Sequence, residues 1–128
     1  MKVLIIEDNV ILAATLEIML KKLGHKQIQK VHDAKSALET LKDFKADLLL
    51  VDINLGPGKS GIDVVKTVQS ERKVDVVYIT GNSDVHHKTL VQQTDYLQYL
   101  VKPITLFELK NSIAQSSVVE INNKDEDR

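Results

Sequence analysis

Five side chains that can bind metal or take part in group transfer end four apolar runs of this sequence. They are Glu7, Asp8, Asp52, Thr80 and Lys102. The carboxyl ends of parallel strands meet at one edge of a sheet, and open α/β sheets bind their ligands there. If the four runs are strands of one such sheet, three carboxylates, a hydroxyl and an ammonium share one crevice.

The three carboxylates of that crevice need a counter-charge. Two anions about 4 Å apart repel each other by roughly 4 kcal/mol at an effective dielectric constant of about 20. A proton or a divalent cation has to offset this repulsion. Oxygen ligands favour Mg²⁺, or Mn²⁺, over zinc, and Mg²⁺ commonly binds one or two carboxylates together with phosphate oxygens. Lys102 supplies a second, fixed positive charge.

The chemistry that this set favours is phosphoryl transfer onto a carboxylate. An aspartate can act as the nucleophile and form an aspartyl phosphate. The group in transfer carries its negative charge on equatorial oxygens, which a metal ion, an ammonium and a hydroxyl stabilise. Each residue taken alone is more often a loop residue, a helix cap or a surface charge, so the hypothesis depends on their common position.

The elements that must position these residues alternate along the chain. Apolar runs predict strands at 3–6, 27–31, 48–51, 74–79 and 96–101. Helical spacing of apolar residues follows each run, and Asn9, Asp33 and Thr105 are placed to cap three of the helices. The alternation predicts an α/β fold, a doubly wound (βα)₅ domain with a parallel five-stranded sheet of flavodoxin-like order 2-1-3-4-5.

The first and last helices carry clear apolar faces. The first is expected to bury the residues on its inner face, namely Ile11, Leu12, Leu16, Met19, Leu20 and Leu23. Gly24 follows, where a helix commonly ends. The last helix carries Leu106, Leu109, Ile113 and Ala114.

Length and composition fit one ordinary globular domain. The chain has 128 residues, 43% of them hydrophobic, which is enough to bury a core without disulfides, and it has no cysteine. A net charge of -1 and the lack of a basic cluster argue against nucleic-acid binding. No apolar run is long enough for a signal peptide or a membrane span. These features predict a soluble, cytoplasmic protein.

Four segments resemble the receiver domain of bacterial response regulators, in particular single-domain, chemotaxis-type receivers. The segments are 3–9, 49–55, 80–81 and 99–103, in the order and at the spacing of that family. The resemblance covers about residues 2–116. It implies a receiver domain at 1–117 and a polar tail or truncated linker at 118–128. It also implies a signalling domain that catalyses only its own phosphorylation and dephosphorylation, not an enzyme with a separate substrate.

The resemblance assigns a role to each matching position. Asp52 would be the phosphoacceptor, and Asp8, Asp52 and the backbone carbonyl of Asn54 would bind Mg²⁺, with Glu7 helping through a water. Lys102 would pair with Asp52 or with phosphoryl oxygens. The residues of the switch would be Thr80, which bonds to a phosphoryl oxygen, and Tyr99, which turns inward with it. The bond between Lys102 and Pro103 would be cis. The residues that tune access and dephosphorylation would be Asn54, Gly81 and Asn82.

The implied partners are proteins on both sides of a phosphorelay. The phosphodonor would be a sensor histidine kinase or a histidine phosphotransfer protein. A downstream protein would bind the surface formed by helix 4, strand 5 and helix 5, and the chain would be a monomer or a weak homodimer. Residues 86–94 depart from the family because they lack its alanine- and glycine-rich pattern. The output face therefore has altered chemistry. The chain has no room for an output domain after its last helix, and it is either a stand-alone regulator or a piece of a longer one.

Three other interpretations share part of the pattern. A haloacid-dehalogenase-like phosphatase uses a strand-end aspartate, Mg²⁺, a hydroxyl and a lysine, but its nucleophile follows the first strand and a cap domain is usual. A flavodoxin-like cofactor binder needs a phosphate-binding loop where Glu7 and Asp8 would repel phosphate. A pseudo-receiver that only docks partners would not need the five key positions intact.

Overall fold

Strands and helices alternate in the computed structural model, which describes residues 1–81 and 85–116, with side chains except at 85–87. The strands are β1 (Lys2–Ile6), β2 (Gln27–Val31), β3 (Leu48–Asp52), β4 (Asp75–Thr80) and β5 (Gln98–Val101). The helices are α1 (Val10–Lys22), α2 (Ala34–Asp43), α3 (Gly61–Gln69), α4 (Val85–Val91) and α5 (Leu106–Ile113). Within these described ranges, no helix is both long enough and apolar enough to cross a membrane.

The strands form one parallel sheet of order β2-β1-β3-β4-β5. This confirms the predicted fold class and strand order. The central strand β3 is buried at every residue, as expected for a parallel strand that helices cover on both sides. β2 lies at an edge and exposes most of its residues.

Side chains of each strand alternate between two cores. Along β3, Leu49 and Val51 belong to the core under α2, α3 and α4, whereas Leu48 and Leu50 belong to the core under α1 and α5. None of these four side chains is exposed. Burying each one contributes roughly 1.5–3 kcal/mol. The middle of the sheet is therefore firmly fixed, and its carboxyl edge can hold polar groups that would destabilise a weaker frame.

The register of the sheet aligns the polar residues at that edge. The β1–β3 pairing ends with Ile6 opposite Val51, one residue before Glu7 and Asp52. The β4–β5 pairing likewise ends one residue before Lys102. The strands thus deliver their last side chains at one level.

The predicted helix caps are confirmed. The side chains of Asn9, Asp33 and Thr105 each accept the backbone N–H three residues further on. Gly24 has a φ of 95° directly after the end of α1, which is the backbone conformation that glycine adopts most easily.

The buried face of α1 differs from its prediction at Ile11, which is 80% exposed. The buried stripe runs through Ala13, Leu16 and Leu20, and Ile11 lies about 140° from Leu16 around the helix. The prediction followed the large apolar residues and gave little weight to Ala13, because alanine is only weakly apolar. It therefore placed the first turn of the buried stripe at Ile11. The other expected residues lie partly buried at its margin, namely Leu12, Met19 and Leu23.

Two boundaries near the C-terminal end also differ. β5 begins at Gln98 and not at residue 96, although the N–H of Leu97 already donates to the backbone oxygen of Val76 in β4. α5 ends at Ile113, so Ala114 is its exposed cap and contributes nothing to the buried face. Of the residues predicted on that face, Leu109 and Ile113 are buried, whereas Leu106 is 39% exposed.

Gly61, the first residue of α3, packs directly against the end of β3. A Cβ there would overlap the backbone oxygen of Asp52 and a methyl group of Val51. We expect Gly61→Ala to lower the free energy of unfolding by about 2–4 kcal/mol in denaturant titrations, because the backbone of the strand end has to move. Gly24→Ala is the control. An alanine there would be strained by the positive φ, but its Cβ would meet nothing within 4 Å. A loss of about 1 kcal/mol is therefore expected. Equal losses would contradict the steric argument.

Candidate functional site

Lys102 joins two carboxylates at the carboxyl edge of the sheet. Its Nζ lies 2.8 Å from Glu7 Oε1 and 3.3 Å from Asp52 Oδ2. Glu7 is 1% exposed and Asp52 is 4% exposed, so these carboxyl groups have lost most of their water. Desolvated anions of like charge are costly, and the ammonium between them offsets part of that cost.

Asp52 opens onto a cleft of about 300 Å³. The residues that line it follow β1, β3, β4 and β5, or end them, and are Asp8, Asn9, Asp52, Asn54, Thr80, Gly81 and Lys102. The cleft therefore brings together most of the residues that the sequence suggested. Glu7 lies behind it, in contact with Lys102.

The three carboxylates form a compact acidic cluster. Glu7, Asp8 and Asp52 each offer an oxygen, and these oxygens lie within 4.8 Å of one another. Two members are buried and Asp8 is exposed. Glu7 Oε1 forms an ion pair with Lys102 Nζ, and it has no other partner among the described residues. A cluster that offers only oxygen ligands, with one ammonium for three carboxyl groups, fits a hard divalent cation such as Mg²⁺.

Burial dominates the electrostatics of Asp52. Desolvation, together with the neighbouring Glu7 carboxyl, raises the pKa of Asp52 to about 8, against the opposing effect of Lys102. Burial disfavours the charge of Lys102 as well, but the two carboxyl groups outweigh it and raise the pKa of the ammonium. A hydrogen bond with Glu7 lowers the pKa of Asp8. Without a metal ion, burial therefore disfavours the ionised form of Asp52, whereas Lys102 beside it keeps its positive charge.

The loop after β3 holds the Asp52 carboxyl group from the other side. The backbone N–H of Asn54 donates to Asp52 Oδ1 over 3.0 Å. Asn54 Oδ1 in turn accepts the N–H of Gly56, and the N–H of Ile53 donates to the backbone oxygen of Ile79. Each oxygen of Asp52 thus has a fixed donor, one from Lys102 and one from the loop.

Two residues that the sequence did not assign to the site support Glu7. The N–H of Asn9 donates to Glu7 Oε2 over 3.3 Å, and Asn9 also lines the cleft. His32 Nδ1 lies 2.9 Å from the backbone oxygen of Glu7. The position of Asn9 directly after the acidic pair could have indicated its role. No sequence signal could have indicated His32, which arrives from the neighbouring strand.

The remaining predicted residues fall in three places. Thr80 and Gly81 line the cleft at the end of β4, and the Lys102–Pro103 bond is cis. Tyr99 lies outside the cleft, half-buried against the core under α4, with Lys88 Nζ 5.9 Å from its ring centroid. The residues outside the described ranges are Asn82 and the predicted tail at 118–128.

Comparison with known proteins decides the family. Residues 3–114 match the family described as the response regulator receiver domain. The chain belongs to that family. It is a receiver domain of two-component response regulators, which is a signalling domain, and the resemblance drawn from the four sequence motifs is confirmed.

Relatives and solved structures agree with this assignment. The receiver is 34% identical over 113 residues to the transcriptional regulatory protein CitT of Bacillus subtilis, covering 87% of this chain and 50% of CitT. It is 29% identical to the DNA-binding response regulator MtrA of Mycobacterium tuberculosis, covering 98% of this chain and 53% of MtrA. A CheY-like receiver domain from Methylobacillus flagellatus superposes with a TM-score of 0.78 at 28% identity, covering 91% and 98% of the two chains. The receiver spans about half the length of the curated regulators that it matches.

The raised pKa of Asp52 predicts a pH-dependent effect of Asp52→Asn on the stability of the metal-free receiver. The folded wild type binds a proton on Asp52 that the unfolded chain has lost, so its stability falls as the pH rises towards 8. An amide at this position does not ionise. We therefore expect Asp52→Asn to be more stable than the wild type by about 1–3 kcal/mol at pH 8, and by much less at pH 5.

Thermal unfolding in the presence of a chelator measures this difference. Asp43→Asn is a matched control, because it removes the same charge from an exposed helix position. The control should change stability little at either pH. A benefit of Asp52→Asn that is equal at pH 5 and pH 8 would show that ionisation of Asp52 is not its cause.

Proposed function

We propose that this receiver accepts a phosphoryl group on Asp52 from a phosphohistidine of a sensor kinase or a histidine phosphotransfer protein. One observation carries the proposal. The almost fully buried Asp52 carboxyl group opens onto a cleft and has Lys102 at 3.3 Å, with two more carboxylates beside it. Structural ion pairs rarely bring three carboxyl groups to one lysine, because the repulsion is costly unless a ligand relieves it.

The transfer makes one bond and breaks another. An oxygen of Asp52 bonds to phosphorus as the phosphorus–nitrogen bond of the phosphohistidine breaks, and the electron pair of that bond returns to the imidazole nitrogen. The fixed donors from Asn54 and Lys102 hold the carboxyl group in one orientation. A nucleophile that is already held in one orientation loses less conformational entropy on reaching the transition state than a mobile one does.

The residues that would hold Mg²⁺, or Mn²⁺, are Asp8, Asp52, the backbone carbonyl of Asn54 and, through a water, Glu7. When bound, the ion supplies positive charge that keeps Asp52 ionised and offsets the charge of the phosphoryl oxygens. The raised pKa of Asp52 makes this charge necessary, because a protonated carboxyl group is a poor nucleophile.

Lys102 and Thr80 would receive the phosphoryl oxygens on the opposite side of the cleft. Both line it, and the Lys102 ammonium is already charged and close to Asp52. Gly81 leaves this side open, since even an added Cβ would come no closer than 3.9 Å to the nearest side-chain atom, Lys102 Cδ. Asn54 would influence how water reaches the phosphoryl group, and the sequence suggests the same role for Asn82.

Phosphorylation would then act on the surface of α4, β5 and α5. Thr80 would move towards the phosphoryl group and Tyr99, on the neighbouring strand, would turn inward behind it. A downstream protein would read the altered surface. We propose that the receiver works in this way as a monomer or weak homodimer, with its domain at 1–117 and a polar segment at 118–128.

The central test is incubation with a small phosphodonor and Mg²⁺, followed by intact mass measurement. We expect one phosphoryl adduct on the wild type, and none on Asp52→Asn because the amide cannot accept the group. Asp43→Asn keeps all site residues and should form the adduct as the wild type does. Steady release of phosphate without an adduct would instead favour a phosphatase, and no reaction at all would favour a domain that only docks partners.

Thermal unfolding with and without Mg²⁺ tests the metal site separately. Binding to the folded state alone stabilises by about 2.7 kcal/mol at a concentration 100 times the dissociation constant. We expect the wild type to gain stability of this order and a chelator to reverse the gain. Asp8→Asn should lose most of it, because Asp8 is the exposed ligand of the cluster. Sodium chloride at matched ionic strength is the control, and an equal gain with sodium would exclude a specific site.

A further inference from the structure

The two ends of α4 lie in different surroundings. The helix begins at Val85, four positions after Gly81, which lines the cleft. It ends at Val91, and the segment after it reaches the other end of the sheet, where Gln69 contacts both Asp95 and the residue before β4. One end of α4 is therefore near the phosphoacceptor site and the other is far from it.

A buried tyrosine holds the far end. Tyr78 in β4 is completely buried, and its hydroxyl lies 2.7 Å from Thr94 Oγ1. The Thr94 hydroxyl donates its own hydrogen to the backbone oxygen of Val91, also over 2.7 Å, so Tyr78 is the donor in this pair. Burial raises the pKa of Tyr78 to about 12, and the hydroxyl keeps its hydrogen throughout the neutral range. Tyr96 packs edge-on against the same ring, with centroids 5.5 Å apart.

The last residue of α3 holds the same segment from a second side. The Gln69 side chain accepts the N–H of Asp95 over 3.0 Å and donates to the oxygen of Asp95 over 2.7 Å. It thus satisfies both polar groups of one peptide residue, much as a strand neighbour would. We call Gln69, Tyr78, Thr94 and Asp95 the α4 anchor.

We propose that the α4 anchor is the fixed pivot about which α4 turns when the receiver is phosphorylated. The inference rests on the proposed function and names how its output surface is controlled. Tyr78 lies two residues before Thr80 on the same face of β4 and pairs with Tyr99 on β5. In this scheme a displacement at Thr80 would turn the near end of α4, while directed hydrogen bonds hold the far end. Gln69 and Tyr78 are positioning residues in this scheme.

Hydrogen exchange measured by mass spectrometry tests the anchor in the unphosphorylated protein. Tyr78→Phe removes the hydroxyl and keeps the ring, so we expect exchange at 91–97 to rise by about tenfold while β1 and β3 keep their rates. Tyr96→Phe is the matched control, because it removes a hydroxyl from the packed ring that is not in the anchor, and it should leave 91–97 unchanged. Thr94→Val breaks the same hydrogen bond from the other partner and should reproduce Tyr78→Phe. Wild-type rates at 91–97 in both variants, or an equal rise everywhere, would overturn the anchor.

The same measurement with phosphodonor and Mg²⁺ tests the pivot. In the wild type we expect the change in exchange to concentrate at 85–90 and to spare 91–97. In Tyr78→Phe the change should spread through 91–97. A wild-type response that already covers 91–97 equally, in samples whose intact mass shows the adduct, would overturn the pivot and leave the proposed function standing. Samples without an adduct would overturn the proposed function, whereas the unphosphorylated comparison would still decide whether the anchor exists.

Discussion

The balance between one ammonium and three carboxyl groups governs this receiver. Lys102 is the cation that contacts the two buried members, Glu7 and Asp52, and the rest of the cluster is acidic. One positive charge cannot keep all three carboxyl groups ionised in a site with so little water, which is why the pKa of Asp52 is raised. The repulsion among the carboxyl groups therefore destabilises the metal-free site. A cation that binds there relieves this repulsion, and the relief contributes to its affinity.

The sheet tolerates this cost because its centre is strong. β3 carries a fully buried apolar sequence up to its last residue, Asp52, and Gly61 packs against that end so closely that no side chain fits. Rigidity at the end of β3 fixes the Asp52 carboxyl group, and strain of a few kcal/mol is small beside the apolar burial that holds the strand. At the end of an edge strand such as β2, whose residues are largely exposed, water would solvate the carboxyl groups and raise their pKa values less.

The sequence predicts the frame of this molecule better than its details. Apolar runs of strand length and polar residues at their ends determine the strand order and the shared edge, since both follow from where parallel strands must end. Ile11 and the start of β5 could not be placed in this way. The first depends on how a helix is rotated against the sheet, and the second on where the pairing of β5 with β4 begins. The contact of His32 with Glu7 likewise exists only once β2 lies beside β1.

The α4 anchor offers a physical reason for the departure of residues 86–94 from the family pattern, because Thr94, the last residue of that segment, belongs to the anchor. Small residues at the end of a helix let it slide, because they offer packing without direction. Thr94, Asp95 and their partners instead form hydrogen bonds of defined geometry to β4 and α3. A ligand shifts a conformational equilibrium only by its differential interaction with the two states. In the proposed mechanism the anchor stays intact in both states and adds nothing to that difference, so the energy supplied at Thr80 would turn α4 without loosening it.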